Sequence, residues 1–554
     1  MELTPSHHHP DRQAWLRRFW PWLVVALIIL SVDLIRFRLL TVPLERDEGE
    51  YAYAGQLILH GIPPYELAYN MKLPGTYYAY AAGMAVFGQT IVGVHLTLMI
   101  VNNLACLLMF ILGRRLGGVL AGLGTCASYA ALSLSPAVLG RAAHATQFVV
   151  LFAIPGVLFL WDALVSGRRR AFLISGLLFG LAFVMKQPGL CFGLFGLAVL
   201  VWRARERREL LRRESFLSAL AFAAGLVLPF CLVCLEALAA GNFQRFWFWT
   251  FEYASTYAGR LPLARGCGFL WEYLSATYLN YLGFVGLVMV GLVALLRARP
   301  RRRELAFAVA WLGFGFVGTA SGLYFRNHYF VLMLPAFALL VGLALGQLDF
   351  LCAPSQFRWV PPILLVAVLA ENVWENRLEY FELSPRGICA TSYYGNPFLE
   401  AMPIAQFIHD HSNPDARVAV VGSEPEVYFY SQRMSATGYI YTYALMEPQP
   451  YAKAMQEEMI AEIEAVKPEF LVYDTHELSW LRGTGSDRTI FKWVTSYVDE
   501  DYAPVAIAGF QTNGVPLVAY GESMLEAEKL LPEAMTLYQR RHDPDAKSGA
   551  AAAP

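Results

Sequence analysis

Long apolar runs are the feature that most constrains the fold of this chain. Runs such as 22–31, 148–160 and 331–345 recur through the first part of the 554-residue sequence. A run approaching ~20 apolar residues with few charges is long enough to cross a bilayer as a helix. Hydrophobic residues make up 56% of the chain and charged residues only 16%, which excludes an ordinary soluble protein. No small-residue cleavage site follows the first run, so we expect no cleavable signal peptide.

The apolar pattern predicts a polytopic α-helical membrane protein with about eleven spans. The predicted spans cover approximately residues 20–40, 92–113, 117–136, 146–165, 171–186, 188–203, 215–238, 276–296, 305–322, 329–347 and 358–374.

Arginine clusters at 114–115, 168–170, 203–213 and 297–303 fall on alternate connections between these spans. The positive-inside rule places such clusters in the cytoplasm, so we expect a cytoplasmic amino terminus. With an odd number of spans, the chain after residue 375 is then extracytoplasmic. This topology predicts a protein of the inner (cytoplasmic) membrane.

The carboxy-terminal part has the pattern of a small soluble α/β domain. Strand-like runs occur at 417–422 and 469–474, a helical pattern covers 446–466, and Thr512-Asn513-Gly514 separates two strand-like segments as a hairpin turn would. The predicted domains are a cytoplasmic tail at 1–19, a membrane domain at 20–375 with an acidic outer loop at 41–90, an extracytoplasmic α/β domain at 376–535, and a disordered tail at 536–554.

Isolated ionisable residues outside the arginine clusters all fall on the predicted outer side. Charges within or beside membrane spans are costly and are therefore candidates for function. The alternative for each of them is a side chain that extends to the lipid headgroups. These residues are Asp47, Glu48, Lys72, Arg141, His144, Lys186, Arg326 and His328.

The acidic stretch Asp47-Glu48-Gly49-Glu50 also has a structural interpretation. It fits a capping box with Asp47 as the N-cap and Glu50 at the third helical position, opening a helix that Gly61 ends. A catalytic role for Asp47 and a capping role can coexist. Glu48 has a further alternative as a ligand of a divalent cation, since such cations favour carboxylates.

Four short motifs, taken in order, resemble a known family. They are Arg46-Asp47-Glu48 after the first span, Lys72-Leu73-Pro74-Gly75, Met185-Lys186-Gln187-Pro188, and Asn327-His328-Tyr329-Phe330. Together they resemble bacterial glycosyltransferases of the GT-C fold, in the protein O-mannosyltransferase-like and aminoarabinose-transferase-like group. In the outer domain, 394–398 and 422–425 are similar to the bacterial members of that group.

The resemblance implies inverting transfer of a sugar from a polyprenyl-phosphate donor to a hydroxyl of a glycolipid, glycan or protein, at the outer membrane face. It implies that Asp47 is the general base, that Glu48 is a neighbouring acid, and that Lys72 faces the donor phosphate. Met71 stands where some relatives carry a glutamate near a metal. The resemblance therefore supports no certain cofactor, and a divalent cation stays possible. The loop 140–147 lacks the acid found in many relatives, which leaves His144 or Gln147 in its place.

The chemistry of such a transfer can also be stated from the residues alone. A hydroxyl needs a carboxylate to accept its proton, and a leaving lipid phosphate needs fixed cations. Lys72, Lys186, Arg326 and His328 are the predicted donor-phosphate ligands, and Arg141 is a further cation.

Aromatic side chains fill the loop 240–274, among them Trp247 and Tyr253. They either stack on a sugar or form an interfacial belt. The alternative functions are a transporter or flippase of lipid-linked sugars and a membrane scaffold. A transporter is disfavoured because the polar groups gather on one face. The expected partners are the lipid-linked donor, membrane lipids and the acceptor, with no nucleic acid.

Overall fold

The computed structural model describes residues 12–209, 212–297, 302–353 and 356–541. Residues 1–11 of the tail predicted at 1–19 and the chain beyond Arg541 lie outside the described residues, whereas residues 12–19 of that tail form the start of a helix. Part of the arginine cluster at 297–303 also lies outside them.

Helices dominate the described part of the chain. They are α1 Arg12–Leu39, α2 Arg46–Leu59, α3 Gly75–Phe87, α4 Ile91–Gly117, α5 Val119–Leu134, α6 Ala145–Ser166, α7 Arg169–Met185, α8 Leu190–Glu206, α9 Arg213–Ala239, α10 Phe243–Trp247, α11 Ala254–Ala258, α12 Leu263–Arg297, α13 Arg302–Thr319, α14 Leu334–Cys352, α15 Val360–Glu375, α16 Pro385–Ser392, α17 Phe398–His411, α18 Glu426–Ser431, α19 Tyr443–Met446, α20 Ala452–Val466, α21 Glu477–Trp480, α22 Thr489–Asp501 and α23 Met524–Leu530.

Six strands lie in the carboxy-terminal part. They are β1 Arg417–Val421, β2 Met434–Ser435, β3 Phe470–Asp474, β4 Tyr502–Phe510, β5 Pro516–Tyr520 and β6 Met535–Arg540.

Seven helical segments among the described residues are long and apolar enough to cross a membrane. They are Ile91–Gly117, Ala145–Ser166, Gln187–Glu206, Arg213–Ala239, Leu263–Val293, Asn327–Cys352 and Gln356–Glu375. Each of the eleven predicted spans lies on helical structure, but four of them, on α1, α5, α7 and α13, are not among these seven. The polytopic helical class is thus confirmed, and the count of eleven is not.

The described residues divide into two compact units, each built from three segments of the chain. The first unit holds the residues up to Leu40, His95–Val233 and Ala258–Leu383. Its helices approach closely where small residues meet. A Cβ atom on Gly342 of α14 would lie 1.9 Å from Thr125 Oγ1 on α5, and one on Gly156 of α6 would lie 2.6 Å from the Phe179 ring on α7. Small residues at such crossings are typical of helices packed within a membrane.

The second unit holds Thr41–Val94, Cys234–Tyr257 and the residues from Ser384 onward. Its sheet has the order β2-β1-β3-β6-β4-β5, in which β1 runs parallel to β2 and β3, and the remaining pairs are antiparallel. The predicted strands at 417–422 and 469–474 and the predicted hairpin are present, as is the helix within 446–466.

Strand β6 corrects one expectation from the sequence. Residues 536–540 were predicted to begin a disordered tail, but they form most of β6 and pair with β3 on one side and β4 on the other. Met535 and Leu537 are buried and Thr536 is half-buried, so the strand shows the expected alternation over only a few residues. A strand this short is stabilised by its two neighbours more than by its own sequence.

Helix α2 belongs to the second unit and is fixed there by a close backbone approach. A Cβ atom on Gly49 would lie 2.7 Å from Glu426 Cβ at the start of α18. Further along α2, the Tyr53 hydroxyl accepts a hydrogen bond from the Ser435 backbone N–H at 2.8 Å. Any side chain at position 49 would clash with Glu426, so glycine is required for α2 to pack this closely against α18.

Candidate functional site

The first turn of α2 carries the acidic motif, and its cap differs from the predicted one. Glu45, not Asp47, is the N-cap residue, with extended backbone at φ −87° and ψ 173°. Its carboxylate accepts the Glu48 N–H at 3.0 Å, and the Glu48 carboxylate accepts the Glu45 N–H at 3.5 Å. The capping box predicted for Asp47 and Glu50 was wrong, because the helix begins at Arg46, two residues earlier than that box requires.

Because Glu45 caps the helix, the carboxylates of Asp47 and Glu50 are not needed for capping, and both bind Lys72. Lys72 Nζ lies 2.8 Å from Asp47 Oδ1 and 2.6 Å from Glu50 Oε2. The ammonium also lies over the Tyr51 ring, 4.5 Å from its centroid. Two carboxylates one turn apart on α2 therefore share one lysine, which follows the helix by more than a dozen residues in sequence.

The two carboxylates on Lys72 differ in exposure. The Glu50 side chain is 0% exposed and the Tyr77 hydroxyl donates to its second oxygen at 2.7 Å, whereas 17% of the Asp47 side chain is exposed. Burial raises the pKa of Glu50 even though Lys72 opposes the shift. Burial alone would lower the pKa of Lys72, but Asp47 and Glu50 outweigh it and hold that pKa well above its ordinary value. Lys72 therefore stays protonated, and Asp47 is the more accessible acid.

Residues of this cluster do not fit the metal site of some relatives. Met71 supplies a soft thioether where a hard oxygen ligand would be required. Glu48, the predicted alternative ligand, is buried, and its carboxylate accepts a backbone N–H in the helix cap.

Arg46 is a functional candidate that the sequence interpretation missed. Its guanidinium donates to Ser423 O at 2.5 Å, Asn396 Oδ1 at 3.0 Å, the Tyr443 hydroxyl at 2.6 Å and Glu424 Oε1 at 3.1 Å. Asn396, Ser423 and Glu424 lie in the two outer-domain motifs, 394–398 and 422–425, that carried the resemblance. Those two motifs marked the partner residues as candidates in the sequence, although neither motif indicated that its residues would bind Arg46.

In the first unit, three of the predicted residues meet. Lys186 Nζ lies 3.5 Å from His328 Nε2, and the rings of His144 and His328 stack with centroids 4.0 Å apart. Lys186 also lies over the Tyr329 ring, 4.4 Å from its centroid. Backbone at Lys186 is extended between α7 and the short helix Gln187–Gly189, so the predicted helix break at Pro188 is present.

The remaining predicted polar residues of the first unit have different surroundings. Arg141 is buried and forms an ion pair with Glu379 at 2.7 Å, while Arg326 is exposed at the start of the 3₁₀ helix Asn327–Met333. Gln147 is buried on α6, and its amide atoms have no hydrogen-bond partner among the described residues. Gln147 therefore has hydrogen-bonding capacity that the described protein atoms leave unused.

The two aromatic candidates of the loop 240–274 separate in the second unit. Tyr253 is 3% exposed, its ring packs on Trp249, and its hydroxyl donates to Glu447. That burial corrects the expectation that Tyr253 stacks on a sugar, because no face of its ring is open. Trp247 is 40% exposed and stays a candidate.

The fold is that of GT-C membrane glycosyltransferases. A solved structure of ArnT from Cupriavidus metallidurans, bound to undecaprenyl phosphate, matches 81% of this chain and 93% of its own with a TM-score of 0.57 and 18% identity. The oligosaccharyltransferase AglB from Archaeoglobus fulgidus matches 92% of this chain and 75% of its own, with a TM-score of 0.50 and 14% identity. These matches confirm the fold class predicted from the sequence.

Sequence comparisons point to the same group. Residues 72–232 match the family model described as dolichyl-phosphate-mannose-protein mannosyltransferase. The undecaprenyl phosphate-alpha-4-amino-4-deoxy-L-arabinose arabinosyl transferase of Pseudomonas aeruginosa (strain UCBPP-PA14) is 31% identical over 315 residues, which are 53% of this chain and 54% of that protein. A second such transferase, from Pseudomonas fluorescens, is 30% identical over 282 residues, 48% of this chain and 49% of its own. The chain thus spans about half the length of the curated relatives it matches.

These comparisons confirm the resemblance to the protein O-mannosyltransferase-like and aminoarabinose-transferase-like group. The curated relatives and the family model carry transferase names, and neither name describes the alternative, a transporter or flippase. The roles of individual site residues stay predictions.

Proposed function

We propose that this protein is an inverting glycosyltransferase that moves a sugar from a polyprenyl-phosphate donor to an acceptor hydroxyl. The observation that carries the proposal is the partly exposed Asp47 carboxylate, held 2.8 Å from Lys72 in a mostly buried acidic cluster. The GT-C fold and the transferase names of the relatives support the same reaction class.

Asp47 is the general base in this proposal. A sugar or lipid hydroxyl is a poor nucleophile at neutral pH, and a carboxylate within hydrogen-bond reach accelerates its attack about 10²–10⁴-fold by taking the proton. Glu50 is fully buried and bound to Lys72 and Tyr77, so Asp47 is the acid that an acceptor can approach. Glu48 stabilises the helix that presents Asp47 and does not itself react.

Lys72 and Lys186 stabilise negative charge in this proposal. Lys72 orients Asp47 and offsets its charge, and its raised pKa keeps it cationic. Lys186 and His328 form a second group suited to an anionic headgroup, because a lysine and an imidazole can both donate to phosphate oxygens. Fixed cations act most strongly on a leaving phosphate where water is excluded.

The proposed location is the outer face of the inner (cytoplasmic) membrane, with the amino terminus in the cytoplasm. The arginine clusters on alternate connections support this orientation. A lipid-linked donor keeps its polyprenyl chain in the bilayer, so the reacting groups belong near the membrane surface. The acceptor is a glycolipid, glycan or protein.

A transfer assay with the purified chain in lipid nanodiscs tests the function. Radiolabelled undecaprenyl-phosphate sugars, with 4-amino-4-deoxy-L-arabinose among them, are each offered with lipid A, glycan and protein acceptors. We expect transfer from at least one monophosphate donor, with inversion at the anomeric carbon by NMR, and a transfer rate at least about 100-fold lower for Asp47→Asn. Transfer by Asp499→Asn, which changes an exposed acid on α22, should equal wild type. No transfer from any donor, or retention of configuration, would contradict the proposal.

A further inference from the structure

The Arg46 guanidinium is committed to protein contacts and is not available to a ligand. Besides its four acceptors, it lies over the rings of Phe398 and Tyr443, at 5.2 and 5.1 Å from their centroids. Only 7% of its side chain is exposed. Arg46 is the residue immediately before Asp47, so these contacts fix the backbone next to the proposed base.

The groups that receive Arg46 are themselves held in place. Glu424 accepts a hydrogen bond from the Ser479 hydroxyl at 2.8 Å, and the same hydroxyl accepts the Ser423 N–H at 2.9 Å. The Tyr443 hydroxyl donates to Leu478 O at 2.6 Å. One guanidinium thus binds the segment after β1 and helix α19, and helix α21 holds both of these in place.

Gly49 provides a second fixed point on the other side of Asp47. Its lack of a side chain lets α2 approach the backbone of Glu426, where a Cβ atom would be 2.9 Å from Glu426 Cα. Arg46 and Gly49 lie on either side of Asp47, so the first turn of α2 is held at both ends.

The Arg46–Glu424 contact is a buried ion pair, so charge as well as packing determines its strength. Burial raises the pKa of Glu424 to about 7, with Asp474 adding to the shift and Arg46 opposing it. Burial would lower the pKa of Arg46, but Tyr443 and Glu424 outweigh it and the pKa is raised. A buried pair of this kind depends on both partners, because removal of one leaves an uncompensated charge.

We propose that Arg46, Glu424 and Ser479 form a positioning network through which the sheet-bearing part of the chain sets the place of the Asp47 carboxylate. The inference rests on the proposed function, because it takes Asp47 as the reacting base. Arg46 and Glu424 touch neither donor nor acceptor. They act through the first turn of α2, where a displacement of about 1 Å can cost roughly 10²-fold in rate.

Two readouts separate positioning from general stability. Arg46→Lys and Glu424→Gln are compared with Arg433→Lys. Arg433 is a buried arginine of the same unit that donates to His409 O, Ser412 O and Ser431 O, and among the described residues it has no hydrogen bond or ion pair with α2. Hydrogen exchange of peptide 45–53 reports on the first turn of α2 without any substrate. Steady-state kinetics report kcat and the donor KM.

We expect faster exchange in peptide 45–53 and a fall in kcat of about 10- to 100-fold for Arg46→Lys and Glu424→Gln, with donor KM within about threefold. Arg433→Lys should leave both the exchange of this peptide and kcat close to wild type. Ser479→Ala provides a third, milder variant if one of the charged variants does not fold.

Unchanged exchange in the variants that fold, or faster exchange with unchanged kcat, would overturn the positioning role. An equal effect of Arg433→Lys would overturn it as well. If wild-type protein transfers no sugar from any donor, the proposed function fails, whereas the exchange data still decide whether Arg46 and Glu424 hold α2.

Discussion

Two lysines, one in each unit, stand two residues before a proline and lie over a tyrosine ring. Lys72 precedes Pro74 and lies over Tyr51 at 4.5 Å, and Lys186 precedes Pro188 and lies over Tyr329 at 4.4 Å. Each lysine also has contacts of a different chemical kind. Lys72 binds two carboxylates, whereas Lys186 contacts an imidazole.

The difference in charge separates the chemistry of the two regions. A lysine between two carboxylates has its charge offset by them, so its main effect is to hold those acids in place. A lysine beside a histidine offers two side chains that can donate hydrogen bonds to phosphate oxygens. The same local pattern thus supports acid–base chemistry in the second unit and anion binding in the first.

Of the two lysines, Lys72 is expected to give the larger effect on kcat, which Lys72→Met tests. This change leaves Asp47 and Glu50 facing one another without a cation. We expect kcat to fall on the order of 100-fold, because Asp47 loses its orientation, and the free energy of unfolding to fall by about 3 kcal/mol. Kinetics and urea unfolding check both values. A rise in donor KM alone, with normal kcat, would reverse the division between the two lysines.

Lys186→Met should act on the donor. Removing a charge-assisted contact to phosphate raises the donor KM by about 10- to 100-fold, with a smaller effect on acceptor KM. Lys492→Met, which changes an exposed lysine on α22, is the control. An effect confined to acceptor KM would show that Lys186 does not bind the donor.

A smaller effect on rate is expected for Glu50→Gln. The amide oxygen can still accept from Tyr77, and Lys72 keeps Asp47 as its partner, so we expect kcat to fall about 10-fold. Glu457→Gln, on an exposed pair with Lys453 at 3.7 Å, should be neutral. A loss as deep as that of Asp47→Asn would make Glu50 the stronger candidate for the base.

His476 should affect stability rather than rate. Burial would lower its pKa, but Asp474, at 2.8 Å, and Glu400 raise it from 6.5 to about 9. The folded protein therefore binds a proton that the unfolded chain releases between these values. The stabilising contribution, about 3 kcal/mol, is complete below pH 6.5 and is lost as the pH rises through 9.

Thermal unfolding between pH 6 and 9.5 checks this prediction. The drop in Tm across that range should be smaller in His476→Gln than in wild type. Parallel curves for the two proteins would show that this histidine is not protonated in the folded state.

Much of the fold was predictable because membrane helices and strand–turn–strand patterns leave strong periodic signals. The segments that became α4, α6 and α14 were evident from composition alone. Strand β6 was not evident, because its alternation of buried and exposed residues is short. The strand is stabilised by pairing with β3 and β4, which a local pattern does not show.

The site was predictable where residues were unusual for their surroundings. Asp47, Lys72, Lys186 and His328 stood out as isolated charges among apolar runs. The helix cap was predicted wrongly because Glu45 was not considered, and that error hid the role of Glu50. The contacts of Arg46 with residues more than 340 positions away could not be predicted from local patterns.

The most direct test of the account is the single-turnover transfer rate of Asp47→Asn, measured with saturating lipid-linked donor and compared with Asp499→Asn. Asparagine keeps the size of aspartate but cannot accept the proton of the attacking hydroxyl. We expect a rate reduced by at least about 100-fold, with donor affinity within about threefold of wild type. A rate within about threefold of wild type would contradict the assignment of Asp47 as the base.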